Sequence, residues 1–199
     1  EWDAATYPVE LLRRMGEIEL FTDGIEHPDL PESSPLAAGL VNMEVSRHDG
    51  SLATALAVQG GLALRTLALF GKKAQDEVWG TDPDALIAAG IAYPQGRAKK
   101  VDGGLMLSGT WNFCSAVNDS TWNMLACMVI ENDKPVDWVQ CLLRDSEYEI
   151  IDDWQTMGMR GTGSSTCKVE NLFVPDYRVQ SMATGLPGHH FAGVAENPN

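Results

Sequence analysis

Leu107-Ser108-Gly109-Thr110-Trp111-Asn112-Phe113-Cys114-Ser115 is the stretch from which the rest of the chain is read. It follows a turn at Gly103-Gly104, and Leu105, Leu107 and Trp111 stand at alternating positions, the pattern of a strand with one apolar face. The same spacing predicts that Phe113 and Ser115 share a face of that strand. Trp111, Phe113 and Trp122 cluster in sequence around Ser115 and Asn118. Two readings stay open. The aromatics are core packing, or they wall a flat heteroaromatic cofactor, with Ser115 as its hydrogen-bond donor. Spacing does not separate them, because alternate residues face one side in either case.

Working outward, the flanks have the same texture. Ala85–Ala92, Met124–Ile130, Val136–Leu143, Tyr148–Ile151 and Lys168–Val174 are short apolar runs separated by Gly, Asp and Asn, with Asn132-Asp133 as one turn and Pro175 as the last stop. Short strands at that spacing predict a small antiparallel barrel or sandwich over residues 83–180. Residues 1–82 read as helices. Pro8 precedes Val9, Leu12 and Met15, a first helix with proline in its first turn. Thr22–Ser33 reads as a loop. Ser34-Pro35 is an N-cap followed by proline at the first helical position, and Asp49 caps a third helix running to Phe70 and stopped at Gly71. Lys72–Trp79 is a fourth helix ended by Gly80. Residues 181–199 are Gly- and Pro-rich and read as a linker. The fold class is α+β, an N-terminal helical domain followed by a small β domain.

Composition removes several function classes. The chain has 199 residues, 28 acidic against 14 basic, and a formal net charge of −14. Phosphate backbones and anionic membranes both call for clustered Lys and Arg, so neither nucleic acid nor a membrane is expected as partner. The most apolar stretch, Leu52–Phe70, is interrupted by Thr54, Gln59 and Arg65 and reads as a buried helix. Cys114, Cys127, Cys141 and Cys167 form no Cys-x-x-Cys pair and no zinc spacing, and all fall where strands are expected. Buried free thiols fit a reducing cytoplasm. His27, His48, His189 and His190 form no metal set, and no Gly-x-Ser-x-Gly elbow or Gly-rich nucleotide fingerprint occurs. Arg160-Gly161-Thr162-Gly163-Ser164 reads either as a phosphate cradle or as a flexible turn between strands.

Taken together, the 107–115 stretch, Met157–Ser164 and Val169-Glu170-Asn171-Leu172-Phe173-Val174-Pro175 resemble the acyl-CoA dehydrogenase superfamily. Glu44–Thr54 is also similar, so the resemblance covers about residues 8–180. Where dehydrogenases of that family carry Thr-Glu-Pro followed by Gly-Ser-Asp, this chain has Ala92-Tyr93-Pro94-Gln95-Gly96-Arg97. Val78–Ala85, Val101–Gly104, Asp133–Trp138 and Arg160–Ser164 are instead similar to two-component flavin-dependent monooxygenases. That branch implies the oxygenase component, hydroxylating an aromatic or similarly electron-rich small molecule through a flavin C4a-hydroperoxide. It further implies reduced FMN or FAD delivered by a separate reductase, dioxygen as co-substrate, no metal, and a homotetramer completed by a C-terminal four-helix bundle beyond this chain.

By the same resemblance Ser115 bonds the flavin N5 edge and Phe113 packs on the ring. Tyr93 and Pro94 line the pyrimidine side, Trp111 and Trp122 help keep the pocket dry, and Arg160, Thr162 and Ser164 contact flavin phosphate or substrate. Ala63 stands where related hydroxylases place a histidine, with Arg65 and Thr66 the nearest polar residues. An acyl-CoA dehydrogenase-like enzyme is the alternative, and a flavin-free scaffold of the same fold is a third reading.

Overall fold

The computed structural model of the protein describes residues 6–21, 34–80 and 82–182. The expected loop at Thr22–Ser33, nearly all of the expected linker, and His27, His189 and His190 lie outside the described residues.

The helical signals act locally, as expected. Helix α1 is Val9–Glu17 and buries Leu12 and Met15. Helix α2, Pro35–His48, is capped by Ser34, whose hydroxyl accepts from the Ala37 amide at 3.1 Å. Asp49 turns the chain and caps α3, Gly50–Leu56, by accepting from the Leu52 amide at 2.9 Å. The helix continues as a π-helical stretch, Ala57–Leu64, and ends in a last turn, α4, Arg65–Leu67. Two close approaches go with the widened turns. Gly60 lies against the backbone of Phe21, where a Cβ would come within 3.1 Å of its carbonyl oxygen. The buried Gln59 side chain accepts from the Ile87 amide at 3.2 Å. Helix α5 is Lys72–Trp79, with Gly80 as its cap.

The β domain is one eight-stranded sheet in the order β6-β7-β3-β2-β4-β5-β8, with β1 also paired to β4. The strands are β1 Ile87–Gly90, β2 Gly96–Val101, β3 Gly104–Trp111, β4 Trp122–Glu131, β5 Lys134–Arg144, β6 Glu149–Ile151, β7 Thr166–Pro175 and β8 Val179–Ser181. Most pairs are antiparallel. This is the antiparallel architecture expected, with β1 and β2 as the exceptions, since both run parallel to β4, along Trp122–Leu125 and Cys127–Val129. Asn132 and Asp133 form the β4–β5 hairpin turn, both at positive φ (49° and 59°). Strand β2 is absent from the sequence reading. Only Gly96 and Ala98 face inward, and Arg97, Lys99 and Lys100 mask the alternation.

The sheet has two buried faces. Leu107 and Trp111 of β3, Leu125, Cys127 and Val129 of β4, and Cys141 of β5 form the inner core. On the other face Ile87, Trp122, Met124 and Leu142 meet Ala63, Leu67, Ala74 and Val78 of the helices and Phe70 between α4 and α5. This explains why β4 is buried at nearly every position instead of alternately. All four cysteines are free and buried, but Cys114 lies in the turn after β3 and not in a strand.

Candidate functional site

Strand β3 ends at Trp111, and the next residues do not continue it. Phe113 has φ 63° and Ala116 φ 72°, left-handed values that turn the chain twice. Phe113 and Ser115 therefore do not share a strand face, contrary to the sequence expectation. The turn throws the Phe113 ring to the surface, where it is 61% exposed. It meets Trp154 in a T-shaped contact, with ring centroids 6.1 Å apart at 90°.

Trp111 and Trp122 are corrections of another kind. Trp111 is fully buried in the inner core, and its indole N–H donates to the Ala126 carbonyl at 2.6 Å. Trp122 is buried on the helix face, with the guanidinium groups of Arg144 and Arg178 against its ring. Neither reaches the surface beside Ser115, so core packing is the reading that holds for both. Trp154, which sequence reasoning did not single out, is the second aromatic of the site. Nothing local marks it, because it lies in an irregular segment, and only the fold brings it to Phe113.

Ser115 is half-buried and sits beside a segment 49 residues further on. Its Oγ lies 2.8 Å from the Ser164 Oγ, which lies 2.6 Å from the Thr162 Oγ1. The Thr162 hydroxyl donates to the Met159 carbonyl at 2.9 Å. Backbone bonds lock the two segments together, Ala116 N–H to Thr162 O at 2.8 Å and Cys114 N–H to Ser165 O at 3.2 Å. Gly161 lets the segment approach the helices, since a Cβ there would come within 2.9 Å of the Thr6 carbonyl oxygen and 3.2 Å of the Ser51 hydroxyl. Thr162 and Ser164 are themselves buried, so they act on the surface through Ser115, not by direct contact. Arg160 is half-buried at the start of the same turn.

The third segment is Tyr93-Pro94-Gln95, between β1 and β2. Tyr93 is exposed and Pro94 half-buried. The Gln95 side-chain amide clamps Asn112, accepting from its N–H at 3.2 Å and donating to its carbonyl at 3.4 Å. The Asn112 side chain meets the Thr166 hydroxyl at 3.1 Å, and that hydroxyl donates to Asp153 at 2.6 Å. The Thr166 bonds hold the Asp153 carboxyl below its usual range. Burial pushes the Asp119 carboxyl up. It also pushes up the Tyr7 phenol, with help from the nearby Asp119. These links gather loops 91–95, 112–118 and 152–165 at one end of the sheet. They carry exposed aromatic rings and a hydroxyl held by a buried chain. That combination fits the edge and face of a flat, polar-rimmed heteroaromatic ring. Among the described residues no group of three or more His, Cys, Asp and Glu side chains could hold a metal ion. No helix among them is long and apolar enough to cross a membrane. A cavity of about 550 Å³ lies elsewhere, between α2 and the π-helical stretch, lined by Leu20, Val41, Leu56, Gly60 and Arg65 among others.

Residues 1–82 match the sequence family described as acyl-CoA dehydrogenase, N-terminal domain. The oxygenase subunit HsaA of a flavin-dependent monooxygenase from Mycobacterium tuberculosis is 42% identical over 131 residues, 66% of this chain and 33% of its own length. The crystal structure of HsaA from that organism superposes with a TM-score of 0.86 at 32% identity, over 99% of this chain and 51% of that one. Residues 1–82 thus match an acyl-CoA dehydrogenase N-terminal domain, and the chain has the fold of that superfamily. Within it, the similarity runs to the oxygenase components of flavin-dependent monooxygenases. The oxygenase component of an FADH2-dependent resorcinol hydroxylase from Rhizobium sp. is 37% identical over 125 residues, 62% of this chain and 30% of its own length. A glutaryl-CoA dehydrogenase from Mycobacterium smegmatis shares the fold, with a TM-score of 0.75 at 16% identity over 89% of this chain and 48% of that one. The chain thus spans about a third of the length of these curated relatives and about half of the solved chains.

Proposed function

We propose that this chain is part of the oxygenase component of a two-component flavin-dependent monooxygenase, which hydroxylates an aromatic or similarly electron-rich small molecule. The observation that carries the reading is the 42% identity to HsaA over 131 residues, and beside it stand an exposed Phe113 ring and a half-buried Ser115 hydroxyl on one loop. Phe113 offers a ring face and Ser115 a polar partner for the ring edge. Tyr93 and Pro94 stand on the loop that Gln95 ties to the same turn. Arg160 supplies the positive charge of that turn for a phosphate or an anionic substrate. The chemistry reduced flavin supplies when bound is two-electron activation of dioxygen, one oxygen atom going to the substrate and the other to water. The chain's own residues bind and orient the ring, and shield it from water on the side of Phe113 and Trp154.

Reduced FMN or FAD is delivered by a separate reductase, dioxygen is the co-substrate, the intact protein is a homotetramer, and its place is the cytoplasm. The replacement of Thr-Glu-Pro and Gly-Ser-Asp by Ala92-Tyr93-Pro94-Gln95-Gly96 supports a flavin that comes and goes over one held permanently. An anaerobic assay separates the oxygenase from a dehydrogenase. It should leave the oxidised flavin of the intact protein yellow when an acyl-CoA is added, and in air that protein should hydroxylate a phenolic compound only when given reduced flavin. Bleaching of bound oxidised flavin by an acyl-CoA, without any reductase, would overturn the proposal.

A further inference from the structure

We infer that Thr162 and Ser164 fix the direction in which Ser115 can hydrogen-bond, and so make this part of the site selective for the reduced form of a flavin. The inference rests on the proposed placement of the flavin ring edge at Ser115, and adds to it a count of protons.

Each hydroxyl has one proton to donate, and a carbonyl has none. The Thr162 Oγ1 lies 2.9 Å from the Met159 carbonyl oxygen, so the Thr162 proton points at Met159. Thr162 then has none left for Ser164, 2.6 Å away, and Ser164 must donate to Thr162. The Ser164 proton is engaged in turn. Ser115, 2.8 Å away, must therefore donate to Ser164. What Ser115 presents outward is lone pairs.

The anchor of the chain is held in place. The Met159 carbonyl has two lone pairs, and the Thr162 hydroxyl at 2.9 Å lies nearer to it than the Trp154 indole N–H at 3.1 Å or the Thr162 amide at 3.2 Å. Thr162 is fully buried and Ser164 is 5% exposed, so water does not supply substitute partners for the reversed direction. Reversal requires all three protons to turn together and Thr162 to leave Met159. Ser115, by contrast, is only half-buried and open to a ligand.

The consequence is chemical. The N5 atom of a flavin carries a hydrogen when the ring is reduced and a bare lone pair when it is oxidised. An outward-facing acceptor on Ser115 matches the first and sets lone pair against lone pair in the second. Thr162 and Ser164 are thus positioning residues, two and one hydroxyls removed from the ligand.

The test is anaerobic titration of the intact protein with the same flavin in its oxidised and reduced forms, together with the midpoint potential of the bound flavin. Wild-type protein should bind the reduced form more tightly. Ser164→Ala and Thr162→Val each free the Ser115 proton to point outward. Each should lower the ratio of oxidised to reduced dissociation constants by about fivefold, the size of one hydrogen bond, and move the bound potential downward. Thr162→Ser keeps the hydroxyl and should keep the wild-type ratio, which guards against reading a folding defect in Thr162→Val. Ser115→Ala should weaken the reduced form more than the oxidised one. An unchanged ratio in Ser164→Ala and Thr162→Val, beside a weakened reduced form in Ser115→Ala, would overturn the inference and leave the site standing. If Ser115→Ala changes neither affinity, the ring edge is not at Ser115 and both fall.

Discussion

At the scale of single residues, Trp111 and Phe113 show how two aromatics close in sequence take opposite parts. Trp111 fills the inner core, and Gly109 and Gly96 lie against its ring. A Cβ at Gly109 would sit 2.8 Å from the Trp111 ring and 2.6 Å from the Gly96 Cα. Gly109→Ala should therefore lower the unfolding free energy by about 1–3 kcal/mol through overpacking. Denaturant titration measures this, and an unchanged midpoint would mean the ring has room to shift. Phe113 pays a backbone strain, at φ 63°, to hold an exposed ring. Phe113→Gly removes that strain, worth about 1 kcal/mol, and gives up an exposed edge contact with Trp154 worth about 0.5 kcal/mol. The variant should be as stable as wild type or slightly more so, while reduced-flavin affinity falls several-fold. A parallel loss of stability would place Phe113 in the structural framework and not in the site.

At the scale of elements, helix α5 is tied to the sheet by charge as well as by packing. Glu77 accepts from Arg178 Nε at 2.8 Å and from Arg144 Nη2 at 2.7 Å, and Arg178 also donates to Glu147 at 3.0 Å. The Arg178 side chain is only 8% exposed. Its hydrogen bonds hold the Glu77 carboxyl at about 2, against the opposing effect of burial and with Arg144 assisting. The folded value lies below the ordinary 4.5, so the ionised carboxylate stabilises the fold fully above that pH. This contribution is lost as pH falls from 4.5 towards about 2. Wild-type stability should drop across that window, and Glu77→Gln should flatten the drop. At neutral pH the same variant leaves Arg178 with Glu147 as its remaining carboxylate, at a cost on the order of 2 kcal/mol. Melting curves of both proteins over the acid range check the sign. An equally steep acid limb in Glu77→Gln would remove Glu77 from the account.

At the scale of the whole molecule, the candidate site is open. Phe113 is 61% exposed, Tyr93 52% and Met159 45%. The relatives are two to three times as long as the part matched here. Residues 1–199 alone should accordingly hold flavin weakly, because a ring covered on one face keeps much of its water and loses contact area. Titration of this chain beside the intact protein tests it, and tight binding by the chain alone would show that these loops suffice.

The sequence by itself determined whatever depends on neighbours a few residues apart. The Ser34 and Asp49 caps, the Gly80 stop, the Asn132-Asp133 turn and six of the eight strands are legible, because capping, turn dihedrals and alternation are local effects. Strand β2 was not, since its inward residues are only Gly96 and Ala98 and its burial is decided by Trp111 across the sheet. Family resemblance pointed to Ser115, Phe113, Thr162 and Ser164, but not to what they do to one another. Whether Trp111 faced core or ligand was undecidable from spacing, and the positive φ at Phe113 has no signature in a non-glycine residue. The tertiary structure alone brought Ser164 within 2.8 Å of Ser115 across 49 residues, and Trp154 to the ring of Phe113. The physical reason is that a hydroxyl chain or a ring contact depends on distances in space, which the closure of the sheet sets and local propensity does not.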